Sequence, residues 1–164
     1  MALAGLWYPP GMRHWLFKTE PDAYSWDRLQ REGSTPWSGV RSFQARNNMM
    51  EMKLGDLGFF YHSSIAMPAI VGLVKVVREA YPDSTAWEKG GDYYDPRSTP
   101  AKPLWHMVDV APEADMPRPV TLAELRSETA LAYMPLLRKG QRLSVQPVTP
   151  EEWHIILTIA KRPG

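Results

Sequence analysis

The sequence of 164 residues contains no cysteine, which excludes a disulfide framework and a thiolate metal site. It has four histidines, His14, His62, His106 and His154, and no two stand at the i, i+4 spacing of a helical metal pair. No metal and no cofactor are expected. Charge of one sign is also lacking: 19 basic and 18 acidic side chains leave a net charge of +1. Such a balance argues against coating nucleic acid through many phosphate contacts at once, but it permits reading one nucleotide in a pocket. No apolar run reaches the ~18 residues of a membrane-spanning helix. A basic segment followed by an apolar stretch is missing from the N-terminus, so no signal peptide is expected and a cytoplasmic protein is the default. Glycine-rich phosphate loops and a Gly-x-Ser-x-Gly nucleophile elbow are absent too.

Aromatic residues are plentiful. Seven Trp and seven Tyr accompany a hydrophobic content of 44%, enough for one domain with a proper core. Residues 1–12 differ from the rest: uncharged up to Met12 and turn-rich, they read as a tail that Trp7 could dock. Residues 13–160 read as a single domain and 161–164 as a short C-terminal tail.

Strands are predicted over residues 14–18, 57–62, 69–78, 105–110 and 142–148, from runs rich in Val, Phe, Tyr and Trp. The nearly continuous apolar runs of 57–62 and 69–78 predict that both faces of these strands are covered. Helices are predicted over 24–32, closed by Gly33, and from a capping-box spacing at Asn48-Met-Met-Glu51. Two further capping boxes, Thr121-Leu-Ala-Glu124 and Thr149-Pro-Glu-Glu152, open helices, the second running to about Ala160 with Trp153, Ile156, Leu157 and Ala160 on one face. A short helical turn is predicted at 134–137. Residues 81–103 form a long polar loop of the kind that is usually functional. Strict strand–helix alternation is missing, so the expected fold is α+β, with a curved mixed sheet or small barrel surrounded by short helices.

No catalytic signature emerges. His62-Ser63-Ser64 sets a base beside hydroxyls, yet sequence adjacency is not triad geometry. The carboxylate pairs Asp92 with Asp95 and Glu20 with Asp22 lie in turn-rich segments, where Asp commonly caps turns. Met49, Met50 and Met52 could form an adaptable binding surface, but core packing of a short helix explains them as well. More informative is Trp37-Ser-Gly-Val-Arg-Ser-Phe-Gln-Ala-Arg-Asn47. An indole can stack on a planar ligand, arginines can meet phosphate, and amides can read a base edge. Trp37 and Trp105, both at loop–strand junctions, are what an aromatic cage would need. Lys18 sits at a strand end, where a pocket mouth could use it.

The segment 37–47 resembles the EVE domain family, a branch of the PUA-like superfamily related to YTH readers. Further pieces in the family's order are Trp15-Leu-Phe-Lys-Thr-Glu-Pro21, Gly55-Asp56, Phe60-Tyr-His-Ser63, Ile70-Val-Gly-Leu73, Arg78-Glu-Ala-Tyr-Pro-Asp83, Tyr94-Asp-Pro96, Trp105-His-Met-Val-Asp-Val110 and Arg142-Leu-Ser-Val-Gln-Pro147. The resemblance covers about residues 13–160. It implies a PUA-like fold and a non-catalytic reader of a modified base in nucleic acid, such as 5-methyl- or 5-hydroxymethylcytosine in DNA or a modified RNA base; an enzyme acting on modified nucleic acid or a nucleotide is the alternative. It also implies Trp37 and Trp105 as cage walls, Ser38 and Asn47 as edge readers, and Lys18, Arg41 and Arg46 at the backbone. His62, Ser63, Ser144 and Gln146 would line or brace the pocket. The expected partner is a nucleic acid bound by a monomer, with no membrane. Ser38 and Ser42 depart from the acidic residue and amide that many relatives carry, and Pro103-Leu104 replaces a position often basic or polar.

Overall fold

The computed structural model describes residues 11–163; Trp7 and most of the predicted tail lie outside them. The first strand, β1 (His14–Thr19), is buried on both faces over its first four residues. Trp15 and Phe17 enter one core and Leu16 the other, as side-chain alternation requires. Trp15 is also fixed by a polar contact: its Nε1 donates to the buried Asp56 at 3.0 Å.

Among the described residues, six strands make one open mixed sheet. They are β1, β2 (Thr35–Pro36), β3 (Leu57–His62), β4 (Ala69–Pro82), β5 (His106–Thr121) and β6 (Val145–Val148), in the order β2-β5-β4-β3-β1-β6. β1 and β3 run parallel, and the other pairings are antiparallel. The sheet does not close into a barrel, because β2 and β6 remain its edges. Both edge strands are short and carry proline, which blunts further pairing. Register shifts between β4 and β5 fall at Ile70/Gly72, Leu73/Val74, Val76/Arg78 and Arg78/Tyr81. Each bulge bends its strand and deepens the local twist, so the long central pair supplies the curvature.

Among the described residues, four α-helices cover the faces: α1 (Trp26–Glu32), α2 (Phe43–Glu51), α3 (Leu122–Ser127) and α4 (Pro150–Ala160). Both predicted capping boxes at α3 and α4 are formed. On α4, Trp153, Ile156, Leu157 and Ala160 are all buried, and the Trp153 ring stacks on Phe59 at 4.0 Å. Gly33 ends α1 with a φ of 82°, a left-handed conformation suited to glycine. Met49 and Met52 are buried beneath α2, so the methionine cluster belongs to the core apart from Met50.

Four expectations need correction. Helix α2 starts at Phe43, not Asn48, because the Ser42 hydroxyl accepts from Ala45 N and caps the chain earlier. Asn48 lies inside the helix and donates Nδ2 to Val145 O at 2.8 Å, tying α2 to β6. β5 runs to Thr121, far past Val110, although Pro112, Pro117 and Pro119 concealed this in the sequence. β4 likewise continues to Pro82, so the long loop begins later and holds a 3₁₀ turn at Ser84–Trp87. The last strand starts only at Val145, leaving Arg142 and Ser144 to line a cleft.

Candidate functional site

A cleft of about 550 Å³ opens where the C-terminal end of β1 meets the segment after β2. Trp37 forms its floor. Trp37 N donates to Val108 O at 2.7 Å, which pins the chain to β5 as it leaves the sheet. The indole is 8% exposed and is boxed edge-on by Phe17, Phe60 and Tyr24, with ring centroids 5.1, 5.8 and 6.3 Å away. Edge-to-face packing holds the ring in one orientation. Tyr24, Ser38, Arg41, Tyr93, Arg142, Ser144 and Lys18 are among the other residues of the lining, and no acidic residue lines the cleft.

The loop 38–41 is held by the buried Asp83. Its carboxylate accepts from Gly39 N at 2.8 Å and from the Arg41 guanidinium at 3.0 Å, and its other oxygen from Thr85. Burial alone would raise the Asp83 pKa, but the donors from Thr85, Gly39 and Arg41 outweigh it and hold the group ionised below its ordinary value. Arg41 also donates twice to Tyr93 O, at 2.9 and 3.1 Å. It therefore fastens the tyrosine loop to the tryptophan loop. Gly39 is required twice over. Its φ is 81°, and a Cβ there would meet the Tyr93 ring at 2.7 Å.

Lys18 is half-buried and its Nζ donates to Gln141 O at 3.4 Å. Burial lowers its pKa, and among the described residues it has no carboxylate partner. Arg142 is exposed and also unpaired among those residues. A stacking floor with unopposed cations at the rim suits a planar group attached to an anionic chain.

Of the residues singled out in the sequence, Trp37, Ser38, Arg41, Lys18 and Ser144 come together here. Trp105 does not line this cleft. It is 2% exposed, stacks on Phe43 at 4.9 Å, and donates Nε1 to Asp95 at 2.8 Å. Asn47 and Arg46 pair with each other on α2, Arg46 to Asn47 Oδ1 at 2.8 Å, and Arg46 also reaches Leu104 O. His62 accepts from Trp26 N at 3.2 Å at the start of α1, and burial keeps its pKa low. Gln146 is fully buried and donates to Leu143 O. Ser63 lines a neighbouring cleft. Tyr24, Tyr93 and Arg142 were missed. Two adjacent tyrosines in a polar loop were the available signal for Tyr93, but only the fold carries that loop back over Gly39. Among the described residues, no three His, Asp or Glu side chains converge as a metal would require.

An open, bulged mixed sheet with an aromatic and cationic cleft at one end defines a PUA-like protein. The EVE domain family model matches residues 13–159, and the chain belongs to the EVE domain family. Human thymocyte nuclear protein 1 is 42% identical over 168 residues, covering 91% of this chain and 74% of that protein. The crystal structure of human THYN1 in complex with 5-methylcytosine-containing DNA is 41% identical, with a TM-score of 0.88 over 93% of this chain and 99% of that one. The YTH domain of a Zygosaccharomyces rouxii protein, bound to N6-methyladenosine RNA, shares the fold with a TM-score of 0.54 at 15% identity, over 97% of this chain and 92% of that one. No helix among the described residues is long and apolar enough to cross a membrane.

Proposed function

We propose that the chain is a non-catalytic reader that takes a modified base, 5-methylcytosine in DNA first among them, into the Trp37 cleft. The observation that carries this reading is the human relative captured with 5-methylcytosine-containing DNA at 41% identity. The cleft's volume of about 550 Å³ falls in the range of small-molecule sites. In this reading the base leaves its stack and lies against Trp37, with Tyr93 as the second aromatic wall in place of Trp105. Ser38 and Ser144 offer hydrogen bonds to the base edge, and Lys18 and Arg142 meet the flanking phosphates. Flipping costs a few kcal/mol, and stacking on an aromatic returns about 1–3 kcal/mol per base. The methyl group then decides between partners whose other contacts are shared. Residues 13–160 are the working unit, acting as a monomer; its place is the cytoplasm, although the human relative is named for the nucleus.

The test is titration with matched duplexes and single strands, DNA and RNA, with and without the modification. Preference for a modified strand, lost in Trp37→Ala while the protein stays folded, supports the reading. Equal affinity for all strands, unchanged by Trp37→Ala, overturns it.

A further inference from the structure

A second cleft, of about 670 Å³, lies beside the first and is lined by Lys18, Ser63, Ser64, Arg126, Arg138 and Lys139, among others. The two clefts are neighbours by construction. Lys18 lines both. Ser63 N donates to Thr19 O at 3.0 Å, joining a residue of the second cleft to one of the first. Gln141 faces the second cleft and its chain neighbour Arg142 the first.

The charge of the second cleft is of one sign. No Asp or Glu lines it. Arg126, Arg138 and Lys139 are exposed, and none forms an ion pair with another described residue. Away from both clefts, Arg13, Lys75, Arg97, Arg118 and Arg162 each meet a carboxylate. The hollow against α1 carries the opposite sign, with Glu113 and Asp115 in its lining. The adjoining clefts bring together Lys18, Arg126, Arg138, Lys139 and Arg142, none with a carboxylate partner among the described residues, and neither lining contains Asp or Glu. Unopposed charge in a concave site focuses the field on an anion, and hydroxyls of Ser63 and Ser64 can donate to phosphate oxygens.

We infer that the second cleft holds the phosphodiester backbone of the strand whose base occupies the Trp37 cleft, with Arg126, Arg138 and Lys139 as its phosphate contacts and Lys18 at the junction. The inference rests on the reader function proposed above. It assigns affinity to one cleft and base choice to the other, since phosphate contacts carry no sequence information of their own.

The experiment measures affinity against salt for the intact chain and for the triple variant Arg126→Gln, Arg138→Gln, Lys139→Gln, on methylated and unmethylated duplexes. All three side chains are exposed, and thermal unfolding confirms that the variant folds. Each lost phosphate contact should flatten the slope of log affinity against log salt by about 0.9 on duplex DNA, so the triple variant should lose about 2–3. Affinity should fall at least about tenfold at low salt on both duplexes, leaving their ratio intact. An unchanged slope overturns the inference. So does displacement of the duplex by inorganic phosphate beyond the effect of chloride at matched ionic strength, which marks a site for a free anion. Failure of the reader function registers separately, as an absence of methyl preference in the unaltered chain.

Discussion

Trp37 and Trp105 are the same ring at similar loop–strand junctions, yet the fold uses them differently. Trp37 is pinned by its backbone to Val108, its ring packs at steep angles against Phe17 and Phe60, and it lines a cleft. Trp105 is held by a stacked ring and a carboxylate, Asp95, whose own pKa lies well below the usual range because it accepts from Arg97 and Trp105. A tryptophan whose N–H is satisfied and whose face is covered has become structure. One that packs against its neighbours at steep ring angles and still lines a cleft remains available to a ligand.

The largest expected effect separates these two roles. Trp105→Ala should destabilise the protein by about 3–5 kcal/mol, as removal of a buried aromatic does, while the folded fraction keeps its preference for a modified strand. Denaturant unfolding and titration, read together, check this; loss of preference with stability intact would reverse the assignment. Asp83→Ala should follow at about 3 kcal/mol, because it strips a buried partner from Arg41 and an acceptor from Gly39. Unlike Trp105→Ala, it should also weaken binding, since the loops bearing Trp37 and Tyr93 lose their shared anchor.

Trp37→Ala should reduce affinity for the modified strand by about 1–3 kcal/mol, roughly 5- to 150-fold. Trp37→Phe should recover part of that loss. Gly39→Ala should destabilise by about 1–2 kcal/mol through its left-handed backbone and displace Tyr93, readable as a smaller fall in affinity.

Acid should sharpen the same contrast by a smaller amount. The folded Asp83 pKa is depressed below 3.8, so its stabilisation is complete above that value and is lost as the pH falls through the lower folded pKa. In Asp83→Asn this part of the acid-dependent loss should be missing from thermal unfolding profiles below about pH 4.

Local chemistry was legible in the sequence wherever the deciding partners were near in the chain. The capping boxes at Thr121 and Thr149 each settle a helix start within three residues. Alternation in β1 placed Trp15 and Phe17 opposite Leu16. Asn48 misled because its capping spacing was real but Ser42 reached extended backbone first. The three prolines of β5 hid a strand that bulges accommodate.

By itself, then, the sequence determined the family, the α+β class and the caps of α3 and α4, and singled out the Trp37 segment, since motif, period and capping depend on short-range order. Only the tertiary structure decided that Tyr93, and not Trp105, lines the cleft with Trp37. Tyr93 and Trp105 lie 12 positions apart in one irregular segment, and nothing local ranks them. The choice was made by long-range partners: Gly39 lies under the Tyr93 ring, Arg41 holds its carbonyl, and Phe43 covers Trp105. The same reason explains the gathering of Lys18, Arg126 and Arg138. Charges scattered along the chain become one cationic surface only when the fold brings the end of β1, α3 and the segment before β6 around one cleft.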